Sequence, residues 1–108
     1  MKIQKLTLYM ISDLADYNAI GIYSDGKITV LKGSKIRKPN NNTKRNQYVN
    51  EIRNNPLKVN DEMIVLEDIE FSSPSTAAQF VADTNRNGLL YWRNKDNKKL
   101  RDLLIGGK

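Results

Sequence analysis

The chain has 108 residues, a formal net charge of +6, 39% hydrophobic and 28% charged residues, and neither cysteine nor histidine. That length suits one compact domain and is too short for two. The two missing residue types exclude disulfide scaffolds, thiolate and imidazole catalysis and Cys- or His-built zinc sites, and no apolar run approaches the ~18 residues that cross a bilayer.

The first residues are basic, but Gln4, Lys5, Thr7, Ser12 and Asp13 interrupt any signal-peptide core, so a cytoplasmic protein is expected. Leu6, Leu8 and Met10 alternate with Thr7 and Tyr9, which predicts a first strand. Leu14 to Asn18 reads as a turn or a short helical piece. Ala19–Ser24 and Lys27–Lys32 flank Asp25-Gly26, and such a pair between β-branched runs predicts a hairpin with a type I′ turn. In that register Tyr23 faces Ile28 and Gly21 faces Val30, while Ile20 opposes Leu31 on the other side. Apolar residues on both sides imply a central hairpin covered by other elements. Gly33 ends it, and residues 35–42 read as a polar, basic loop.

Thr43 is a candidate N-cap for a helix through Asn54, with Tyr48, Val49 and Ile52 as its apolar stripe and Pro56 as its stop. Met63 to Phe71 reads as a strand, with Met63, Val65, Ile69 and Phe71 inward and Glu62, Asp68 and Glu70 outward. Ser73-Pro74-Ser75 opens a short helix, Ser73 as N-cap and Pro74 at its first position, with Ala77, Ala78, Phe80 and Val81 packed on a sheet. Asn87-Gly88 reads as a turn, Leu89–Arg93 as a strand, Asp96-Asn97 as a second turn, and Lys98 to Leu104 as a closing helix. The expected fold class is α+β, one antiparallel sheet of four to five strands with two or three short helices, in a single domain over residues 1–108.

Charge is segregated along this order. Residues 27–58 hold nine basic residues against Glu51, residues 59–83 hold six acids and no base, and residues 84–108 hold seven basic residues against Asp96 and Asp102. One reading is a basic face for a polyanion, nucleic acid first; the other is that the acidic middle neutralises the basic segments within the fold. Strings that resemble chemistry do not converge. Gly21-Ile22-Tyr23 matches half of the GIY-YIG nuclease signature without a following YIG strand. Asp25-Gly26-Lys27 and Asp96-Asn97-Lys98 resemble metal-dependent nuclease strings but sit on tight turns. Glu67, Asp68 and Glu70 read as a solvated face, since strand alternation turns Glu67 away from the other two. No catalytic site and no metal or cofactor site is visible.

Val30-Leu31-Lys32-Gly33-Ser34, Phe71-Ser72-Ser73-Pro74-Ser75-Thr76-Ala77-Ala78, Asn87-Gly88 with Trp92, and Asp96 with Leu100 resemble one family in order and spacing. It is the small domain of unknown function found C-terminal to GIY-YIG nucleases and in restriction-associated proteins, itself similar to the restriction enzyme adenine methylase associated (RAMA) domain. The resemblance spans about Tyr17 to Leu104. Three positions depart from it: Leu89 where a second tryptophan follows Asn-Gly, Asp83-Thr84 where a Gly-Arg pair stands, and Asn97 in place of Gly. The resemblance implies a non-enzymatic accessory module that targets DNA, its effector being another protein or itself.

On that reading Lys32, Lys35, Arg37, Lys38, Lys44 and Arg45 contact phosphates, and Tyr91, Trp92 or Arg93 touch a base. Arg93, Lys95, Lys98 and Lys99 are expected to extend the same face, with Ser12 on the opposite reach of the chain. Ser73, Ser75 and Asn87 are candidate ligand or capping positions. The expected partner is nucleic acid, DNA ahead of RNA, with no membrane. The alternative is a protein-interaction module, a subunit or inhibitor for a separate nuclease, methylase or defence protein, docking through Glu67–Glu70 or the basic face.

Overall fold

Period-two alternation over residues 5–12 and 17–24 builds the two longest strands, and the Asp25-Gly26 turn folds a third against them. The computed structural model describes residues 5–39 and 44–106. Strands β1 (Lys5–Ser12), β2 (Tyr17–Ser24), β3 (Lys27–Val30) and β4 (Ile69–Phe71) form one antiparallel sheet in the order β1-β2-β3-β4. Helices α1 (Gln47–Arg53), α2 (Pro74–Ala82), α3 (Gly88–Tyr91) and α4 (Leu100–Gly106) complete an α+β arrangement. Among the described residues no helix is long and apolar enough to cross a membrane.

The hairpin register is as expected, with Tyr23 opposite Ile28 and Gly21 opposite Val30, and Leu31 N–H donates to the Ile20 carbonyl. Asp25 (φ 52°) and Gly26 (φ 82°) are both left-handed, which a type I′ turn requires. Leu8, Met10, Ala19, Ile28, Val30, Ile69 and Phe71 lie on one face of the sheet and are buried. α2 crosses that face, and its Ala77, Ala78, Phe80 and Val81 are fully buried. The small alanines bring the helix close, and Phe80 meets Phe71 with ring centroids 4.9 Å apart.

Only this face is covered among the described residues. The opposite face, with Tyr9, Ile11, Ile20 and Ile22, stays open, and Ile11 is 59% exposed. The hairpin is central in strand order, as expected, and the elements that cover it lie on one face.

Other boundaries also differ from the sequence reading. β2 begins at Tyr17, because Asn18 exchanges backbone hydrogen bonds with Lys35, leaving the turn to residues 13–16. β3 stops at Val30. Thr43 lies outside the described residues; the cap of α1 is Asn46, whose side chain accepts from the N–H groups of Tyr48 and Val49. The strand expected over Met63–Phe71 shrinks to Ile69–Phe71. Met63 takes φ 64°, which no strand tolerates, and Ile64 and Val65 make only isolated bridges to Lys35 and Val59.

Leu89–Arg93 is not a strand. Asn87 accepts from Leu89 N–H at 3.0 Å and starts a one-turn helix, and only Arg93 bridges to Tyr9 and Lys99. The described residues therefore form four helices rather than two or three.

Candidate functional site

α2 starts as its sequence dictates: Ser73 is extended, and its Oγ accepts from Thr76 N–H at 3.1 Å, with Pro74 at the first turn. Against that start sits Gly88. A Cβ there would lie 2.2 Å from the Pro74 carbonyl carbon, so only glycine lets α3 meet α2 backbone to backbone. Ser75 Oγ accepts from Gly88 N–H (3.0 Å), and Trp92 Nε1 donates to the Pro74 carbonyl (3.1 Å). These bonds fix the segment that follows. Trp92 is fully buried over Gly21, where a Cβ would meet its ring at 3.0 Å. The Gly-Ile-Tyr string is thus a packing feature, and Trp92 is a pillar of the core with no ring face for a base.

With Trp92 anchored, the chain emerges as Arg93 beside the edge strand β1. Tyr9 N–H donates to the Arg93 carbonyl at 2.7 Å, and Arg93 pairs in turn with Lys99. Paired residues in an antiparallel ladder share a face, so Tyr9, Arg93 and Lys99 lie together on the open side of the sheet. The turn at 94–97 is tied by Asn94 Oδ1, which accepts from Asp96 and Lys98 N–H, and Asn97 takes the left-handed φ of 64°. Between this turn and the end of the β1–β2 hairpin lies a groove of about 650 Å³. Tyr9, Tyr17 and Tyr91 line it, with Arg93 and Lys95 as its cations and Ile11, Ser12, Asn94 and Asn97 between them. No carboxylate is among the lining residues. Arg93 Nη1 donates to Asn97 Oδ1 at 3.1 Å, a neutral partner, and Arg93 forms no ion pair among the described residues.

Two further guanidiniums approach from outside. Arg86 lies over the Tyr91 ring, 5.2 Å from its centroid, a cation–π contact that holds the ring. Burial raises the Tyr17 pKa above the usual phenol value; the Arg86 and Arg37 charges oppose this, and Tyr91 adds to the rise. Arg37 and Arg86 are thus near neighbours of the groove. A second, polar cavity of about 440 Å³ adjoins Arg86 and is lined by Asn46, Ser75, Thr76, Gln79, Asn85 and Asn87.

The expected contacts therefore divide. Tyr91, Arg93 and Lys95 line one groove, with Arg37 at its margin and Lys99 on the same open face. Lys38, Lys44 and Lys98 are exposed but are not among the groove's lining residues. Lys35 pairs with Asp16 at 3.1 Å. Lys32 is exposed, its backbone N–H donates to Asp68 Oδ1 at 2.8 Å, and Lys58 pairs with Glu67, so acids lie among bases at the hairpin exit. Arg45 does not face outward: it grips Asp83, with Nη2 donating to Oδ2 at 2.8 Å. Ser73, Ser75 and Asn87 all accept backbone N–H groups as caps or ties. Ser12 lines the groove rather than the opposite reach, since β1 ends beside the 94–97 turn.

The sequence reading missed Tyr9, Tyr17 and Arg86. Tyr9 was hidden by its role in strand alternation. Tyr17 joins the site only through tertiary packing, for which one chain carries no local signal, whereas Arg86 joins it through Tyr91, five residues on.

Asp83 explains one departure from the family pattern. It is fully buried at the C-cap of α2 with φ 55°, a conformation glycine adopts without strain. Its carboxylate offsets that strain by holding Arg45 and Arg53, whose Nε lies 3.2 Å from Oδ1 without hydrogen-bond geometry. Arg53 also donates to the Phe80 and Arg37 carbonyls, tying α1 to α2 and to the loop after β3. Burial draws the Arg53 pKa down to about 10, opposed by Asp83 and assisted by Arg45. Leu89, at the place of the second tryptophan, packs half-buried against the core.

Fold and site together define a small α+β domain with one sheet face open and a tyrosine-lined cationic groove at its edge. Among the described residues no three acidic side chains form a metal-sized group. The chain belongs to the family described as a domain of unknown function, DUF4357, whose model matches residues 9–104. No curated protein and no solved structure matches it.

Proposed function

We propose that this chain is a non-catalytic nucleic-acid-binding module of the cytoplasm. In this role it is a targeting part for a separate nuclease, methylase or defence protein, of the kind found beside GIY-YIG nucleases and akin to RAMA domains. The observation that carries the reading is the groove: three tyrosines and two cations with no carboxylate among its lining residues. Aromatic faces stack on bases and guanidinium or ammonium groups neutralise phosphates, a combination suited to nucleic acid. Arg37 and Arg86 enlarge the positive field beside it.

Affinity measured across a salt series tests this. If about four phosphates are neutralised, log affinity falls against log salt with a slope near −3 to −4. Arg93→Gln and Lys95→Gln each reduce the slope by about 0.7–0.9, the share of one phosphate, whereas Lys32→Ala at the acid-flanked hairpin exit leaves it unchanged. Absence of binding to DNA and RNA at low salt defeats the proposal. The interleaving of Asp68 and Glu67 with Lys32 and Lys58 favours a second reading, a protein-docking module, which that negative result would promote.

A further inference from the structure

Resting on the nucleic-acid reading, we infer that the groove takes a single strand, with unpaired bases against Tyr9 and Tyr91 and the backbone against Arg93 and Lys95. A duplex hides its base faces in the stack and is read by convex elements, above all a helix laid in the major groove. The described residues offer no such element. α2, their longest helix at 9 residues, carries no charged residue, and neither does α3. α1 has one cation, Arg53, which is buried. α4 has Arg101, which lies 3.7 Å from Asp102.

Arg93 and Lys95, which form no ion pair among the described residues, sit instead in a concavity of about 650 Å³ beside an open sheet. That space falls in the range of small-ligand sites, room for a nucleotide or two, and it sets the cations in a concavity rather than on a projecting element. Tyr91 is 40% exposed and is held by Arg86 before any ligand arrives, so little side-chain freedom is lost on stacking. Stacking on an aromatic ring is useful only to a base that has left its pair.

The test compares labelled oligo-dT and oligo-rU of about 12 nucleotides with a duplex of the same length, by fluorescence anisotropy at low salt. The expected result is that at least one single strand binds about tenfold or more tightly than the duplex. Tyr91→Leu, which removes the ring and keeps apolar bulk, weakens single-strand binding about tenfold while its urea midpoint stays unchanged. Tyr91→Phe retains the affinity. Arg93→Gln lowers the single-strand salt slope by about 0.7. Equal or tighter binding of the duplex overturns the inference and leaves the nucleic-acid reading standing. Binding of a single strand that is indifferent to Tyr91→Leu and Arg93→Gln overturns the assignment to this groove. Failure of all three oligonucleotides to bind removes both.

Discussion

A glycine and a serine thirteen positions apart hold the two helices that frame the molecule's centre. Gly88 touches the backbone of Pro74 and Ser75, neither of which can move without dismantling the start of α2. Gly88→Ala is therefore expected to destabilise the protein by about 2 kcal/mol or more, read from the urea midpoint. At Gly26 a Cβ would meet nothing within 4 Å, yet the φ of 82° suits few other residues. Gly26→Val is expected to cost about 1 kcal/mol through backbone strain alone. The two glycines thus separate contact from conformation, and a cost at Gly26 equal to that at Gly88 would contradict the distinction.

Elements announced by local chemistry were legible in the sequence. Asp25-Gly26 declares its hairpin because a type I′ turn matches the strand twist, and Ser73-Pro74 declares α2 because cap and proline satisfy the first turn. Ser73→Ala is expected to cost about 1 kcal/mol and to shorten α2 from its first residues, visible as faster amide exchange at Thr76. Residues 63–68 and 88–91 were misread because asparagine side chains interrupt the strand pattern locally, Asn60 accepting from Ile64 N–H and Asn87 from Leu89 N–H. Distant partners, Lys35 and the Pro74 backbone, then hold the resulting shapes. The site divides in the same way. Tyr91, Arg93 and Lys95 stand close in sequence, whereas Tyr9 and Tyr17 reach them only through the pairing of β1 with Arg93. The Asp83 cluster joins α1 to α2 and shows how an element contact can hinge on one carboxylate. Asp83→Ala leaves Arg53 buried and unpaired, and a loss of about 3–5 kcal/mol is expected in chemical denaturation.

For the molecule as a whole, alkaline pH probes the groove wall. The folded-state pKa of Tyr17 lies above its unfolded value, so the native state keeps the phenolic proton longer than the unfolded chain. Its contribution to stability is fully present below about pH 10 and is lost as pH rises through the folded value. Arg53, drawn down to about 10, acts with the opposite sign above that pH, because deprotonation relieves a buried charge. Comparing urea midpoints of the wild type and Tyr17→Phe between about pH 8 and pH 11 isolates the phenol. The variant is expected to lack part of the alkaline loss of stability; identical curves would mean that Tyr17 ionises as freely folded as unfolded.

Trp92 is the chain's single tryptophan, fully buried, with its indole N–H bonded to the Pro74 carbonyl. It is therefore a built-in optical probe of one joint, that between α2 and α3. Its emission is shielded from solvent in the native state and shifts to longer wavelength when the joint opens. The groove tyrosines can pass excitation to it, and a ligand stacked on Tyr91 would quench that transfer without moving the tryptophan peak. One unlabelled sample thus yields two separable signals, one for the opening of the core and one for occupation of the surface.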